Sequence, residues 1–285
     1  MTKIVALAGG VGGAKLAWGL AQVLTEEELT VIVNIGDDFE HLGLWISPDL
    51  DTVTYTLAGV ANNVTGWGRK DETWRCLSEL KKFGQPDWFG LGDRDLALHL
   101  TRSQMMREGK NLTQATHKIT QTLGIRHAVL PATNEHVPTM VHTKEMGVLA
   151  FQEYFVKNHC EPTMTSCEFR NISRAKLSLE SRKALEEADA VLFCPSNPWV
   201  SISPILDIED TREIISRKKS IAVSPIIGGK TIKGPAAKMY KEMGIEPSAL
   251  AVAQHYQGLI KGIVIDVIDK AQVHEIERCG IIPFV

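Results

Sequence analysis

The chain has 285 residues, 44% of them apolar, which is enough to bury a substantial core. Lys and Arg number 31 against 34 Asp and Glu, so the net charge of −3 implies no basic surface of nucleic-acid-binding strength. No stretch approaches the ~20 apolar residues of a membrane span, no signal-peptide core precedes the glycines at 9 and 10, and five cysteines without a CxxC pair fit a reducing cytoplasm.

Seven runs rich in Val, Ile, Leu and Ala predict strands: Lys3–Ala8, Leu29–Asn34, Ala128–Ala132, Val148–Phe151, Ala190–Cys194, Ser220–Pro225 and Gly262–Ile268. Their apolar residues are consecutive rather than alternating, which predicts strands covered on both faces in a mostly parallel sheet. Helical patterns lie between them at Ala14–Leu24, Ser181–Ala188, Asp210–Arg217 and Ala236–Met243, the last led by Pro235 as a first-turn proline and stopped near Gly244. From about 52 to 124 the pattern changes. Four helix-like stretches, Thr52–Ala61, Asp71–Phe83, Asp93–Glu108 and Thr113–Leu123, predict a helical insertion after the second strand. The segment from Thr139 to Arg170 reads as shorter, irregular strands. The expected fold is α/β: one Rossmann-like three-layer sandwich spanning 1–285, with a mostly parallel sheet and a helical insertion subdomain.

In such a sheet, ligands bind beyond the carboxyl ends of the strands. The first of these loops is Gly9-Gly10-Val11-Gly12-Gly13-Ala14-Lys15. Glycines let backbone N–H groups approach an anion, and a helix start adds its positive dipole end. Gly10, Val11, Gly12, Gly13 and Lys15 are therefore candidate phosphate ligands, with tight strand–helix packing as the alternative. The loop is no P-loop, since Leu16 follows Lys15, and the dinucleotide fingerprint lacks its third glycine. Ser196, Asn197 and Pro198 form a second loop, and Ser224, Gly228 and Gly229 belong to a third. Ser196 and Asn197 either cap the next helix or donate to a phosphate oxygen.

Asp37, Asp38 and Asp49 are candidate ligands of a hard cation such as Mg²⁺, which takes one or two carboxylates and completes its shell with phosphate and water. Helix capping is the alternative for Asp37 and Asp38, and Asp51 could equally cap the helix starting at Thr52. Asp49 and Asp51 share a side if their stretch is extended. Asp95 and His99 fall one helical turn apart, and the fork of Arg94 suits an oxyanion. Trp45, Trp67, Trp74, Trp88 and Trp199 gather mostly in or near the insertion, as a stacking surface or as ordinary packing.

Several segments together resemble the 2-phospho-L-lactate transferase family: the glycine stretch 9–15, Asn34-Ile35-Gly36-Asp37-Asp38, the run from Ser47 to Val53, Gly66-Trp67-Gly68, Leu91 to His99, Gln152 to Val156, Pro195 to Pro198 with Ser201-Ile202, and Val223 through Gly229 to Gly234-Pro235. The resemblance runs in order from about residue 3 to 268. It implies transfer of a phospho-lactyl or related three-carbon acid group from a guanosine diphosphate ester to the deazaflavin Fo, with GMP released, in coenzyme F420 biosynthesis. It also implies that Asp51, Arg94 and Trp67 meet the deazaflavin, and that the loops at 9–15, 195–198 and 224–229 hold the nucleotide. Asp51 and Asp49 become the candidate catalytic carboxylates, with Asp51 orienting or deprotonating the attacking hydroxyl. One departure stands out: Asn134, in Pro131-Ala132-Thr133-Asn134, replaces an acid common in the family. The competing readings are a nucleotide-sugar-binding regulator of the same fold and, less well supported, a nicotinamide-dependent oxidoreductase. A homodimer is expected, as for many enzymes of this size.

Overall fold

The apolar run after Lys3 forms β1 (Ile4–Ala8), buried from Val5 onward. At Gly9 the chain turns straight into α1 (Gly10–Ala21) and returns as β2 (Leu29–Val33), parallel to β1 with Ala6 opposite Val31. Parallel neighbours require such a crossover, and a helix is the usual one. The insertion follows. It opens with a hairpin of β3 (Phe39–His41) and β4 (Leu44–Ile46), then runs through α2 (Pro48–Leu57), α3 (Arg75–Lys82), α4 (Asp93–Arg107) and α5 (Leu112–Thr122). β5 (Ala128–Pro131) rejoins the sheet beside β2. Next come three antiparallel strands, β6 (Thr139–Thr143), β7 (Gly147–Ala150) and β8 (Met164–Phe169), with β6 in the middle. α6 (Leu179–Glu187) leads to β9 (Ala190–Phe193), which pairs with the free side of β1.

The short helices α7 (Ser203–Leu206) and α8 (Thr211–Ser216) lead to β10 (Lys219–Val223). A small hairpin of β11 (Ile226–Ile227) and β12 (Lys230–Thr231) precedes α9 (Ala236–Glu242) and α10 (Ala249–His255). β13 (Gly262–Val264), α11 (Val273–Arg278) and β14 (Ile282–Phe284) finish the chain. The central sheet runs β14-β13-β10-β9-β1-β2-β5, with every neighbouring pair parallel. The computed structural model describes residues 1–231 and 236–285; Gly234 and Pro235, including the expected first-turn proline, lie outside the described residues.

Six of the seven expected strands stand in this sheet. The seventh, expected at Val148–Phe151, belongs instead to the antiparallel sheet: a tight turn through Gly147 pairs β7 with β6, and β7 is mostly exposed. The expected run Gly262–Ile268 stops at Val264, because Asp266 caps a 3-10 turn by accepting from the Ile268 N–H (3.0 Å). Helix α1 starts at Gly10, four residues before the apolar pattern, so the glycines are helical. Covering on both faces holds at β1, where the whole interior is buried, and fails at β10. There burial alternates, with Ser220 and Ala222 inside and Lys219 and Ile221 outside.

The insertion is fastened by exchanged caps. Glu72 accepts from the N–H groups of Arg94 and Asp95 at the start of α4, both 2.8 Å. Asp93 in turn accepts from the N–H groups of Arg75 and Cys76 at the start of α3. Each carboxylate faces unpaired helix N–H groups and the positive dipole end, so the pair sets two helix starts at once. Asn134 is explained by the same logic. Its Oδ1 accepts from both the N–H and the hydroxyl of Thr113, each at 2.9 Å, at the start of α5. An amide oxygen does that work as well as a carboxylate, so the departure from the family pattern is a structural one.

Under the turn that follows β9, His255 is packed against Trp199, with ring centroids 4.4 Å apart, and its Nε2 lies 3.0 Å from the Ser203 hydroxyl. Burial pushes this imidazole down to about 4; Arg212 adds to the shift, while Asp207 and a backbone contact at Pro198 oppose it. The folded protein therefore holds His255 neutral where the unfolded chain takes up a proton. Stability falls as pH drops from 6.5 towards 4. Thermal melts across that window should show a shallower acid loss for His255→Gln than for the natural protein; parallel curves would remove His255 as a source.

Candidate functional site

The winding reverses between β1 and β9: from β1 the chain moves towards β2 and β5, and later from β9 towards β10, β13 and β14. Crevices in open α/β sheets form at the carboxyl ends of the strands flanking such a reversal. Here those ends are Ala8-Gly9 and Cys194-Pro195-Ser196, and they are in direct contact. The Ser196 hydroxyl donates to the Gly9 carbonyl (2.7 Å) and accepts from the Gly9 N–H (2.9 Å). The side of α1 is pressed onto the same turn. A Cβ on Gly12 would stand 2.2 Å from the Pro195 carbonyl oxygen, which no side chain tolerates. The glycines at 12 and 13 thus serve close helix–turn packing, the alternative left open in the sequence.

Gly10 has φ of +61°, the left-handed region that glycine alone enters freely, and its N–H donates to Asp49 Oδ1 at 2.7 Å. A carboxylate of the protein therefore occupies the helix start, where the sequence suggested a phosphate. Lys15 is exposed a turn further along α1.

Asn34, at the end of β2, is wholly buried and organises the acids. Its Nδ2 lies 3.1 Å from Asp37 Oδ1, 2.9 Å from Asp49 Oδ2 and 3.3 Å from the Val200 carbonyl, and its Oδ1 accepts from the Gly36 N–H. Gln152 donates to the other oxygen of Asp37. One amide thus holds two carboxylates side by side. Burial pushes Asp37 well above the usual carboxylate range, and the charges of Asp49 and Asp38 push the same way. Burial raises Asp49 to about 6 against the pull of its bonds to Asn34 and Gly10.

Asp38 faces elsewhere. Its Oδ2 accepts from the Ser47 hydroxyl (2.8 Å) and the Trp45 indole (3.2 Å), while its buried Oδ1 has no hydrogen-bond partner among the described residues. The three expected metal ligands therefore do not converge. Among the described residues no group of three or more His, Cys, Asp or Glu is arranged to hold an ion. Asp37 and Asp49 remain as a desolvated pair of oxygen donors, the number and kind that Mg²⁺ takes from a protein.

Asp49 and Asp51 do not share a side, because Pro48 starts α2 and the stretch is helical rather than extended. Asp51 points to Arg102 on α4, which grips both carboxylate oxygens. The pair is buried on both sides. Burial is the largest single effect on Arg102 and works against its charge, but the charge and hydrogen bonds of Asp51, helped by Asp38 and Tyr55, together outweigh it, so the guanidinium is held ionised. His99 Nδ1 sits 3.4 Å from Arg102 Nη1, and its Nε2 lies 3.2 Å from Asp95 Oδ1 without hydrogen-bond alignment. Tyr55 closes the network on the same Asp95 oxygen. Arg102 went unnoticed in the sequence. The signal was present: Asp95, His99 and Arg102 at i, i+4 and i+7 mark one helix face.

Arg94 and Trp67 are both exposed on the insertion. Trp67 meets Trp74 edge to face, with centroids 6.3 Å apart. The remaining tryptophans are scattered. Trp45 packs on His136, Trp88 on Phe39, His41 and Phe89, and Trp199 on Tyr240 and His255. A single tryptophan stacking surface is therefore not formed.

Asn197 accepts from the Trp199 N–H and caps the buried turn that begins at Pro198. The Ser224 hydroxyl donates to the Ile226 carbonyl, Gly228 and Gly229 form the positive-φ turn of the β11–β12 hairpin, and the Gly228 N–H is taken by Asp269. A cavity of about 480 Å³ opens beside this hairpin, lined by Lys230, Lys238 and Lys241 among others. Its wall, α9, is tied to the Ser196 turn through Asn197 and Met239. Lys238 reaches the Tyr154 hydroxyl, two residues beyond Gln152.

The model of the family described as 2-phospho-L-lactate transferase CofD matches residues 4–278. A 2-phospho-L-lactate transferase of Methanosarcina acetivorans is 40% identical over 277 residues, covering 97% of this chain and 90% of that one. A phosphoenolpyruvate transferase of Kitasatospora aureofaciens is 43% identical over 287 residues, covering 98% and 89%. Among solved structures, protein BH3568 of Bacillus halodurans, a member of the UPF0052 family, superposes with a TM-score of 0.64 at 15% identity, covering 99% of this chain and 91% of that one. That likeness speaks for the fold alone. Nearly full-length matches at about 40% identity, over a site built at the reversal of an α/β sheet, place the function as well as the fold: this chain belongs to the 2-phospho-L-lactate transferase CofD family, phosphotransferases of coenzyme F420 biosynthesis.

Proposed function

We propose that the chain moves a phosphorylated three-carbon acid from a guanosine diphosphate ester onto a ribityl hydroxyl of the deazaflavin Fo, releasing GMP. The observation that carries this reading is the carboxylate pair Asp37–Asp49, clamped by Asn34 against the start of α1 and the Ser196 turn. Phosphoryl transfer needs charge neutralisation and in-line positioning more than covalent chemistry. Two desolvated acids with raised affinity for positive charge suit Mg²⁺, which Asp37 and Asp49 would hold, and which when bound would neutralise charge developing on the phosphates. Lys230 and Lys241 beside the β11–β12 hairpin offer a counter-charge for the nucleotide's anionic tail, while Lys238 is paired with Glu242 of the same wall.

Asp51 takes a different part from the one the family resemblance implied. Arg102 occupies both of its oxygens, so Asp51 acts as a fixed charge that orients α2, which also carries Asp49. Arg94 and Trp67 remain the proposed contacts for the deazaflavin, on the exposed side of the insertion. Asp51→Asn should lower turnover, and it should also destabilise the fold by about 3–5 kcal/mol, since a buried guanidinium loses its partner.

Asp37→Asn separates function from stability. It relieves the repulsion between two buried acids but turns an amide NH2 towards the Asn34 or the Gln152 donor, so the metal-free protein should melt close to the natural temperature. Turnover should fall by roughly 10²–10³-fold, as when one preorganised charge contact is lost. Activity within a few-fold of the natural protein would remove the pair from the mechanism.

Relatives named for lactate and for phosphoenolpyruvate stand at nearly equal identity, so the decisive assay offers both donors. Each guanosine diphosphate ester is incubated with Fo and Mg²⁺, and products are read by mass spectrometry. The expected result is one phosphodiester and one GMP per turnover. Tight binding of the guanosine ester with no Fo-dependent GMP release would favour a nucleotide-binding regulator instead.

A further inference from the structure

The loop between α2 and α3 carries a charge that the protein leaves unanswered. As the chain leaves α2, the N–H groups of Val60 and Ala61 both donate to the Tyr55 carbonyl, at 2.9 and 3.1 Å. The loop then doubles back. The Asn62 N–H donates to the Gly68 carbonyl (3.0 Å), the Lys70 N–H donates to the Val60 carbonyl (2.8 Å), and Ala61 and Arg69 form a bridge between the two arms. These bonds pin Arg69 beside the last turn of α2. Its Cζ lies over the Tyr55 ring, 5.6 Å from the centroid, and its Nε is buried with no hydrogen-bond partner among the described residues. Nor does its guanidinium form an ion pair among them.

The acids of the insertion are committed elsewhere. Asp95 accepts from the Tyr55 hydroxyl and faces His99, while Arg102 grips Asp51. Glu72, three residues after Arg69, accepts from the N–H groups of Arg94 and Asp95, and Asp93 from those of Arg75 and Cys76. Asp71 is exposed to water. An arginine has five N–H donors and no acceptor, so half-burying one without oxygen partners is unfavourable. The Tyr55 ring attracts the charge but supplies no oxygen to the fork.

The same loop is fastened to the stretch that carries Arg94. A Cβ on Gly90 would stand 3.2 Å from the Trp67 ring and 3.6 Å from Trp74, and Glu72 ties the loop to the start of α4. Arg69 therefore shares one side of the insertion with Trp67 and Arg94, and Arg94 is exposed and also without an ion pair. An indole beside two unpaired guanidinium forks suits a flat heterocycle with oxygen acceptors along its edge. The pyrimidinedione end of a deazaflavin, with its two carbonyl oxygens, has that chemistry.

We propose that Arg69 is a specificity-determining contact for the acceptor, donating through its fork to the carbonyl oxygens of the deazaflavin's pyrimidinedione end. The inference rests on the reading that Arg94 and Trp67 meet the deazaflavin, and adds to it the residue that recognises the oxygenated edge of the ring. Tyr55 then has two parts: its hydroxyl closes the Asp95 network, and its ring holds Arg69 in place.

Binding of Fo to the full chain, followed by the ligand's own fluorescence, tests the proposal, with steady-state kinetics beside it. Arg69→Met keeps an apolar stem over Tyr55 and should weaken Fo binding roughly 10–100-fold, the effect of losing hydrogen bonds from a charged donor. Arg69→Lys keeps the charge without the fork and should recover only part of that loss. In turnover the loss should fall on the KM for Fo, with the KM for the guanosine diphosphate ester unmoved. Arg94→Met separates the two readings. If it weakens Fo binding and Arg69→Met does not, the role of Arg69 is overturned while the acceptor side stands; if neither variant weakens it, both fall. A lowered melting temperature with natural Fo affinity in both Arg69 variants would make Arg69 a prop for Tyr55 alone. A shift confined to the KM of the donor would assign the fork to the donor's carboxylate. Either result overturns the proposal.

Discussion

One buried amide holds this site together. The Asn34 side chain donates to Asp37 and Asp49 at once, and its own oxygen is satisfied by the Gly36 N–H. Two carboxylates taken from water and set side by side repel, and both resist ionising. The fold tolerates them because three elements meet at Asn34: the end of β2, the start of α2 and the turn after β9. Gly10 adds a fourth by donating to Asp49 from the start of α1. The arrangement is unfavourable for stability and suited to a cation, the combination expected where a binding site draws on the stability of its scaffold.

The ion pair between Asp51 and Arg102 solves a different problem. The helices of the insertion do not extend the central sheet, and α3 buries none of its residues. What fixes α4 against α2 is a buried bidentate pair, with His99, Asp95 and Tyr55 behind it. Such a pair yields little net stability once desolvation is counted, but it admits one geometry, and breaking it is severe. Its effect is to fix the direction of α2 two residues from Asp49, so insertion and acid pair are mechanically linked.

The central sheet was legible because parallel strands are written as continuous apolar runs, and the helical insertion because the stretch from 52 to 124 holds helix-like segments and no clear strand-like run. Elements of two or three residues left no such mark: β3, β4 and β14 are too short for a pattern. β7 was read into the wrong sheet because an exposed hairpin strand of Val and Leu looks, residue by residue, like a buried one. At the site, the acids and the strand-end loops could be named, but their partners could not. Sequence neighbours suggested that Asp37, Asp38 and Asp49 act together. In the structure Asp38 turns to Ser47 and Trp45, whereas Asn34 reaches fifteen positions along the chain to join Asp49 to Asp37. The glycine stretch misled in a similar way. A glycine that admits an anion and a glycine that admits a neighbouring carbonyl are the same letter, and only the approach of Pro195 to Gly12 separates them.

Site and open face have a common origin. With β1 in the middle of the sheet, the later strands wind first to one side and then to the other. Each half keeps its helices on one face by the handedness of the crossover. Between the halves, at β1 and β9, loops part and leave a crevice, where Gly9, Ser196 and the acids of β2 and α2 meet. At the far edge the same rule piles α8, α10 and α11 on one side and strips the other, which exposes Ile221, Val264, Ile282 and Phe284.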